Sequence, residues 1–431
     1  MRALASTLSL RSAHGYILAP FIIVYLLLIQ YCRTNYYRDP TSAFFDKGRG
    51  FTPIYSRFRE SQAANFVRNV NGSAPRPVNQ TLSSDATNKP TNSSNASFCV
   101  GIASVSRQET NYIESAVGSL LVDLTEDERK DIHLILFIPH TDPTVHPSYS
   151  SGWLHAAADT VLLYDFPKGQ MKHINKLEQG GGRPKEKALF DYMYLLKACE
   201  ALGSPYVVMI EDDVVAMDGW YHRTRQALED AESQTAEIGA SQYLYLRLFY
   251  THKFLGWNSE EAFTYFLSSL FVVASVGGIL IATRRLVPRT NRFLPNDTIV
   301  IICFVCTPLS ILLFFAAGRA SMLPISTGVH QMPRFGCCTQ ALAFPRDRVA
   351  DVIDWYESQQ TGDADSLLER FANENNEIRW ALTPSLFQHI GTRSSKFENG
   401  EPRIAQSIWN YHFELNDPIA LHIEHEAAVS S

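Results

Sequence analysis

The chain has 431 residues, of which 45% are hydrophobic and 19% are charged, and its formal net charge is −6. This length and composition suit one large globular domain or two ordinary ones, and seven cysteines are too few for a small disulfide scaffold. The mild acidity provides no general attraction to nucleic acid, which excludes a DNA- or RNA-binding role.

The N-terminal segment predicts a membrane anchor. Residues 1–15 are short and polar, and residues 16–32 contain an apolar run without a charge. A bilayer span needs about 20 residues, so flanking residues must complete it. A cleaved signal peptide is the alternative, but no small-x-small cleavage site follows the run. We therefore predict a transmembrane signal anchor over residues 16–32, behind a cytosolic tail.

Residues 33–97 show little apolar periodicity, which predicts a solvated stem. The end of this stretch is rich in Ser, Thr, Asn and Pro and carries N-glycosylation sequons at Asn71, Asn79, Asn92 and Asn95. Several sequons in one flexible segment favour a glycosylated stem on the lumenal side of the membrane. The lumen is oxidising, so disulfides could form there.

Four cysteines lie in the part of the chain predicted to be lumenal: Cys99, Cys199, Cys337 and Cys338. Their connectivity stays open, because the sequence alone does not define which cysteines pair.

From residue 98 onwards, predicted strands and helices alternate. The strands cover residues 98–105, 133–139, 160–166, 206–210 and 242–250. The helices cover residues 109–124, 186–202 and 220–232. Helices between strands of parallel type imply a doubly wound α/β sheet, with its ligand site at the carboxyl ends of the strands. Residues 98–261 form the first part of this domain.

The strand predicted over residues 206–210 is apolar, and Glu211, Asp212 and Asp213 follow it directly. Three neighbouring carboxylates cannot be buried without a partner. Hard oxygen ligands at the end of a strand suit Mg²⁺ or Mn²⁺, whose remaining coordination positions could accept phosphate oxygens. A solvated acidic turn is the alternative, and the motif by itself does not exclude it.

Two further charge-free apolar segments, residues 262–282 and 298–318, interrupt the alternation, and each is long enough to span a bilayer. The short loop between them contains four arginines, which places it on the cytosolic side. We therefore predict a transmembrane hairpin over residues 262–318, whose Asn296 sequon faces the cytosol and stays unmodified. A buried helical hairpin in a soluble core is the alternative.

The α/β pattern resumes in residues 319–431, which form the second part of the domain and a C-terminal tail. Strands are predicted over residues 338–344 and 378–382, and helices over residues 346–359 and 365–375. The hairpin is therefore inserted within one globular domain.

Four motifs occur in order: residues 187–192 (KALFDY), 211–213 (EDD), 337–339 (CCT), and 384–391 (PSLFQHIG) with Ser394-Ser395. The acidic motif resembles the D-x-D motif of GT-A glycosyltransferases, which bind a nucleotide-sugar diphosphate through Mn²⁺. With the anchor and the inserted hairpin, residues 98–395 resemble the post-GPI-attachment N-acetylgalactosaminyltransferase family of the Golgi. The last motif is also similar to the N-acetylglucosaminyltransferase-IV family, which lacks the hairpin.

The resemblance implies a GT-A glycosyltransferase domain, with a Rossmann-like sheet that the transmembrane hairpin interrupts. Asp213 is the expected ligand of Mn²⁺ or Mg²⁺, while Glu211 and Asp212 would contact the ribose, the metal or its waters. His389 is expected to bind the metal or the diphosphate, because neutral imidazole is a good ligand for Mn²⁺.

Donor binding is expected to involve three more residues. Lys187 could pair with the diphosphate as a point charge. Asp191, one helical turn later, could bind the donor sugar or orient Lys187. Arg107 follows the first strand, where such folds receive the nucleotide. An ordinary surface position is the alternative for Arg107 and for Lys187.

An inverting transfer needs a base that removes the proton of the acceptor hydroxyl. Asp365 is the first candidate and Asp363 the second, because both stand where a late helix begins. A carboxylate there could instead cap the helix.

These expectations describe a multi-pass Golgi membrane enzyme with a lumenal catalytic domain. It would transfer N-acetylgalactosamine, another hexose or another N-acetylhexosamine from a nucleotide-sugar, expected to be UDP-linked, to the glycan of GPI anchors. The alternatives are an N-glycan-directed N-acetylglucosaminyltransferase and a membrane-anchored glycan-binding protein without activity.

Overall fold

The computed structural model describes residues 15–71, 95–107, 110–179, 184–332, 336–392 and 408–430. The cytosolic tail before residue 15, the Asn79 and Asn92 sequons and the Ser394-Ser395 pair lie outside these ranges. The chain forms two compact units, which are described separately. The first contains Met1–Thr52 and His252–Ile325, and the second contains Pro53–Thr251 and Ser326–Ser431.

In chain order the helices are α1 (Gly15–Asn35), α2 (Tyr55–Asn71), α3 (Ile113–Leu121), α4 (Glu126–Lys130), α5 (Gly152–Ala157), α6 (Lys168–Glu178), α7 (Pro184–Leu202), α8 (Trp220–Glu237), α9 (Ala262–Leu286), α10 (Asn296–Ile301), α11 (Thr307–Ala317), α12 (Arg319–Met322), α13 (Arg346–Gln359), α14 (Ala364–Glu374) and α15 (Pro418–Ser430). The strands are β1 (Phe98–Ala103), β2 (Ile132–Phe137), β3 (Thr160–Leu162), β4 (Tyr206–Glu211), β5 (Val214–Ala216), β6 (Tyr245–Arg247), β7 (Gly328–Gln331), β8 (Ala341–Pro345), β9 (Arg379–Thr383) and β10 (Phe387–His389).

The first unit contains three helical stretches that are long and apolar enough to span a membrane: Tyr16–Asn35, His252–Leu286 and Asn296–Ala317. They coincide with the three predicted segments and identify a membrane protein. Helix α9 buries none of its side chains. The exposure of α9 argues against a hairpin buried in a soluble core.

The membrane helices of the first unit pack against one another. The Tyr25 hydroxyl donates a hydrogen bond to the Leu309 carbonyl at 3.1 Å, which joins α1 to α11. A side chain at Gly277 of α9 would reach the Cys303 sulfur at 3.4 Å, so this glycine permits close approach of the turn between α10 and α11. Small residues commonly serve this purpose between membrane helices.

The second unit is a mixed α/β fold around an eight-stranded sheet of order β3-β2-β1-β4-β8-β6-β9-β7. The pairs among β3, β2, β1 and β4 are parallel, as is the pair β6–β9. The three pairs β4–β8, β6–β8 and β7–β9 are antiparallel. The predicted α/β alternation is confirmed, and the strands after the insertion add the antiparallel pairs.

Several predicted strands are shorter than expected; β3, for example, covers only the first three of residues 160–166. Residues 242–250 contribute only the three residues of β6, and the strand predicted over residues 338–344 begins at Ala341. Cys338 has a positive φ of 81° and is joined to Cys337 by a disulfide. This left-handed backbone is incompatible with an extended strand, so pairing starts only after it.

Part of the predicted stem belongs to the core of the second unit. Tyr55–Asn71 forms helix α2, and Ala63 on this helix is fully buried against α3. A Cβ atom at Gly118 of α3 would lie 2.7 Å from Ala63, so the two helices touch backbone to backbone. Within residues 33–97, the prediction of a stem with little regular structure is therefore wrong for α2.

Arg59 fixes helix α2 to strand β5 and helix α3 of the same unit. Its side chain is 1% exposed, and its nitrogen atoms donate to the carbonyl oxygens of Ala216 and Ser119, each at 2.8 Å. A salt bridge of 2.9 Å to Asp123 balances the charge. A buried guanidinium is stable only when it is paired and hydrogen-bonded in this way.

All four cysteines of the predicted lumenal part form disulfides. Cys99 of β1 pairs with Cys199 of α7, with a Cα–Cα distance of 5.5 Å, and Cys337 pairs with its neighbour Cys338. The first bridge ties a central strand to the helix that covers it.

Candidate active site

The acidic motif lies at the carboxyl end of β4, in the interior of the sheet. Val214, the first residue of β5, pairs with His389 of β10, and the Ile390 amide donates to the Asp213 carbonyl at 2.9 Å. This short antiparallel ladder brings the 384–391 motif to the acidic motif. The predicted proximity of His389 and Asp213 is therefore a result of strand pairing.

Asp212 is held by residues that follow β1. Arg107 donates one hydrogen bond to each carboxylate oxygen, at 2.6 and 2.7 Å, and the Ser104 hydroxyl donates to Oδ2 at 2.6 Å. The side chains of Arg107 and Asp212 are 12% and 5% exposed. Two parallel charge-assisted bonds fix the orientation of this carboxylate as well as its charge. Asp212 and Arg107 thus fix each other's orientation through a buried ion pair. Their contacts with the donor remain predictions.

A buried histidine, His146, forms a hydrogen bond with Ser104. His146 Nε2 lies 3.1 Å from the Ser104 hydroxyl, and its Nδ1 accepts the Ser148 amide at 3.2 Å. Burial, aided by the nearby charges of His140 and Arg107, lowers the pKa of His146 to about 4. The ring is therefore neutral at physiological pH, and its Nε2–H can donate to Ser104 while Ser104 donates to the carboxylate.

Asp213 and His389 are buried side by side at the same edge of the sheet. His389 Nε2 lies 3.4 Å from Asp213 Oδ2, while Asp213 Oδ1 is buried and has no hydrogen-bond partner among the described residues. Burial disfavours the charged form of both groups, but the attraction between the carboxylate and the imidazolium is stronger than this effect. The pKa of Asp213 is therefore lowered and the pKa of His389 is raised. An unsatisfied buried carboxylate oxygen beside an imidazole fits a divalent cation, which would use these atoms as ligands.

Glycine at position 391 keeps this space open. A Cβ atom there would lie 2.5 Å from Asp213 Oδ2 and 2.8 Å from His389 Nε2. Only a residue without a side chain leaves the space beside these two atoms free.

Glu211 contacts the two residues that precede strand β8. Its carboxylate accepts the Thr339 hydroxyl at 2.7 Å and the Gln340 side-chain amide at 3.2 Å. The Glu211 amide donates to the Gln340 carbonyl at 2.9 Å. The CCT motif therefore positions this carboxylate, and a direct bond from Glu211 to a metal stays a prediction.

Lys187 and Asp191 form a buried ion pair one helical turn apart on α7. Lys187 Nζ lies 2.7 Å from Asp191 Oδ2, 2.7 Å from the Tyr164 hydroxyl and 2.8 Å from the Pro139 carbonyl. Burial raises the pKa of Asp191 to about 6, although Lys187 acts in the opposite direction. These acceptors match the three N–H groups of Lys187, so Asp191 orients the lysine. In this arrangement Lys187 can act on a diphosphate only through its charge.

The two candidate bases differ in their surroundings. Asp363 is the N-cap residue of α14 and binds Lys185 at 2.6 Å, without capping through its side chain. Asp365 is the second residue of the helix, and an oxygen atom of its carboxylate lies within 4.8 Å of the sulfur atoms of Cys337 and Cys338. The N-cap position thus belongs to Asp363, and the Asp365 carboxylate accepts the neighbouring Ser366 amide at 2.7 Å within the first turn. Since these sulfurs form a disulfide, they cannot act as a thiolate metal site.

Tyr192 links the neighbourhoods of Asp365 and Glu211. Its hydroxyl is buried and has no hydrogen-bond partner among the described residues. Burial, followed by the negative charges of Glu211 and Asp365, raises its pKa. Both carboxylates therefore act on the pKa of one buried hydroxyl.

Sequence reasoning missed several residues of this site: Ser104, His146, Tyr164, Gln340 and Gly391. Ser104 follows β1 at the same edge as the acidic motif, and strand order alone could have identified it. His146 lies in a loop, and no local pattern distinguishes it.

Comparison with known proteins agrees with this geometry. Residues 98–388 match the model of a family described as GPI-N-acetylgalactosamine transferase PGAP4. The match starts at the first residue of β1 and includes the acidic motif, the CCT motif and most of the last motif.

Curated relatives are similar over a shorter stretch. Alpha-1,3-mannosyl-glycoprotein 4-beta-N-acetylglucosaminyltransferase B of Danio rerio is 27% identical over 144 residues, which is 29% of this chain and 25% of the relative. Alpha-1,6-mannosyl-glycoprotein 4-beta-N-acetylglucosaminyltransferase of Gallus gallus is 25% identical over 165 residues, or 36% of this chain and 35% of the relative. The aligned part thus spans a quarter to a third of these relatives.

Replacement of Gly391 by alanine should block the site without unfolding the protein, because the new methyl group would occupy the space between Asp213 and His389. We expect the affinity for Mn²⁺ to fall at least about tenfold, the scale on which disturbed metal surroundings act. Isothermal titration of the full-length protein in detergent measures this. Gly169→Ala is the matched control, since no atom lies within 4 Å of a Cβ there. Equal Mn²⁺ affinity in the two variants would contradict the assigned site.

Proposed function

Because this chain belongs to the GPI-N-acetylgalactosamine transferase PGAP4 family, we propose that it transfers a sugar from a nucleotide-sugar donor to the glycan of GPI anchors. The sugar is N-acetylgalactosamine, or another hexose or N-acetylhexosamine, and the donor is UDP-linked. The observation that carries this proposal is the unsatisfied Asp213 Oδ1 beside His389, at the carboxyl edge of the central sheet.

The donor diphosphate would bind at this edge. Asp213 and His389, with Glu211 nearby, would hold Mn²⁺ or Mg²⁺, and the bound cation would neutralise the charge of the diphosphate. Arg107 and Lys187 add positive charge, although Arg107 is bonded to Asp212 and the donors of Lys187 are directed to Asp191, Tyr164 and Pro139. Their part is to keep Asp212 and Asp191 in place and to make the local potential suitable for a polyanion.

The acceptor hydroxyl would be activated by Asp365. The carboxylate takes the hydroxyl proton as the acceptor oxygen forms a bond to the anomeric carbon of the donor sugar. The bond from that carbon to the diphosphate oxygen breaks, and the electron pair leaves with the diphosphate. Attack from the face opposite the leaving group inverts the anomeric centre. The position of Asp365 supports this role: it lies close to the Cys337–Cys338 disulfide, and the next residue, Thr339, binds Glu211 of the acidic motif.

The catalytic unit would lie in the lumen of the Golgi. The last turn of α9 and the loop that follows it contain four arginines, which favour the cytosolic face of a membrane. With one membrane segment before the unit and two inserted within it, both parts of the second unit then face the lumen. The two disulfides of that unit suit an oxidising compartment.

A second candidate function is transfer of N-acetylglucosamine to N-glycans. It is favoured by the sequence similarity to 4-beta-N-acetylglucosaminyltransferases, which are named for a mannosyl-glycoprotein acceptor. The acceptor separates the two candidates, since the donor site can be shared between them.

Mass spectrometry of GPI glycans and N-glycans from cells with and without the gene tests the function. We expect the GPI glycans of deficient cells to lack one hexose or N-acetylhexosamine, and the wild-type gene to restore it. Asp213→Asn should not restore it, whereas Asp127→Asn should, because Asp127 is a 96% exposed surface carboxylate. A change confined to N-glycans would favour the second candidate. No change in either class would contradict both.

Asp365→Asn should reduce turnover by about 10²–10⁴-fold, the usual cost of losing a general base. Binding of the nucleotide-sugar should persist, because Asp365 acts on the acceptor side. Glu374→Gln, an exposed carboxylate on the same helix, is the control. Donor turnover and binding are measured on the full-length enzyme. If Asp363→Asn abolishes turnover while Asp365→Asn retains it, the base is Asp363.

The membrane topology predicts that Asn296 carries no N-glycan, because the arginine loop holds it on the cytosolic side. Peptide mapping before and after glycosidase treatment should reveal glycans at stem sequons such as Asn79 and none at Asn296. A glycan on Asn296 would overturn the proposed orientation of the inserted helices.

A further inference from the structure

We propose that the second unit contains a structural zinc site in which Glu128, His222 and His425 bind Zn²⁺ and fasten the C-terminal helix α15. The site uses none of the residues assigned to donor or acceptor binding, and the inference does not depend on the transferase activity.

Three separate segments of the chain meet at this cluster. Glu128 lies on α4, His222 near the start of α8 and His425 on α15. One ligand atom from each of the three lies within 4.8 Å of the other two. The side chains of Glu128, His222 and His425 are 8%, 21% and 4% exposed, so solvent reaches them poorly.

The surroundings of His425 require a cation. Its Nδ1 lies 2.7 Å from Asp218 Oδ1, and its Nε2 lies 3.1 Å from both oxygens of Glu128. If Nδ1–H donates to Asp218, the lone pair of Nε2 faces the lone pairs of a carboxylate. Such an arrangement is repulsive unless a positive charge, either a proton or a metal ion, lies between the two groups.

The distance between His425 Nε2 and the Glu128 carboxylate suits two ligands of one metal ion. Two ligand atoms bound at 2.0–2.1 Å in a tetrahedron lie about 3.3 Å apart, close to the 3.1 Å between His425 and Glu128. His222 supplies a second imidazole: its ring lies beside that of His425, with centroids 5.4 Å apart and planes inclined by 28°. Its Nδ1 is buried and has no hydrogen-bond partner among the described residues. A proton bridge between His425 and Glu128 would need no second histidine.

The outer contacts resemble those of protein zinc sites. Asp218 accepts the other nitrogen of His425, and metal-ligating histidines commonly make this bond to a carboxylate. Asp218 is itself fixed, because its amide donates to the Tyr55 hydroxyl at 3.0 Å. The Thr125 amide and hydroxyl hold Glu128 Oε2 at 2.9 and 3.0 Å. Two histidines and one carboxylate are a ligand set that binds Zn²⁺ in proteins with water at the fourth position. The role proposed here is structural because the ligands come from three separate segments.

Zinc content and zinc-dependent stability of the full-length protein in detergent test the site. All measurements use an Asp213→Asn background, so that zinc at the donor site does not contribute. We expect about one Zn²⁺ per chain by elemental analysis and a thermal midpoint that rises when Zn²⁺ is added after chelation. His222→Ala should bind Zn²⁺ more than tenfold more weakly and lose this rise.

His422→Ala is the matched control. His422 lies on α15, as His425 does, and contacts Asp218 at 3.2 Å, but it is not one of the three proposed ligands. It should keep the zinc content and the zinc-dependent midpoint of the background. Zinc content below one-tenth per chain, or equal zinc affinity in the His222→Ala and His422→Ala variants, would overturn the proposal. A proton bridge between His425 and Glu128 would then account for the cluster.

Discussion

The ion pair between Arg107 and Asp212 is the constraint on which the rest of the candidate site depends. Three successive carboxylates end a central strand, and their mutual repulsion must be balanced before the sheet edge can be packed. Arg107 and Ser104 neutralise and fix the middle one. The outer two then diverge, Glu211 towards Thr339 and Asp213 towards His389. The charge of Asp212 is balanced by Arg107, while Oδ1 of the next residue, Asp213, stays unsatisfied, as the proposed role of a metal ligand requires.

The site draws on both sides of the inserted membrane helices. Residues before the insertion supply the acidic motif, the β1 loop and the Lys187–Asp191 pair. Residues after it supply Thr339, Gln340, Asp365, His389 and Gly391. The sheet joins the two sets: β8 lies beside β4, and β10 pairs with β5. Membership of a glycosyltransferase family and the open carboxylate at this edge support each other, since one comes from sequence and the other from geometry.

Local sequence patterns predicted the parts of the fold that local physics determines. The apolar strand before Glu211 and the three membrane segments are continuous runs of one character, so their periodicity and length identify them. Helix α2 was missed because its polar sequence hides a narrow contact through Ala63 and a buried Arg59, both defined by distant partners. The same reason applies to Lys187: the motif identified the residue, but only the tertiary structure reveals that Tyr164 and Pro139 already occupy two of its donors.

The order of strands in the sheet has a consequence for biosynthesis. Strand β6 is made before the two inserted apolar helices, yet the strands that pair with it, β8 and β9, are made after them. One edge of β4 likewise stays unpaired until β8 has been made. During translation the first half of the unit therefore exposes an unpaired strand, β6, and an open sheet edge on β4, both of which invite association with other chains. Insertion of the helices into the membrane and closure of the sheet are thus steps of one process, and a chain that stalls between them is a natural substrate for chaperones.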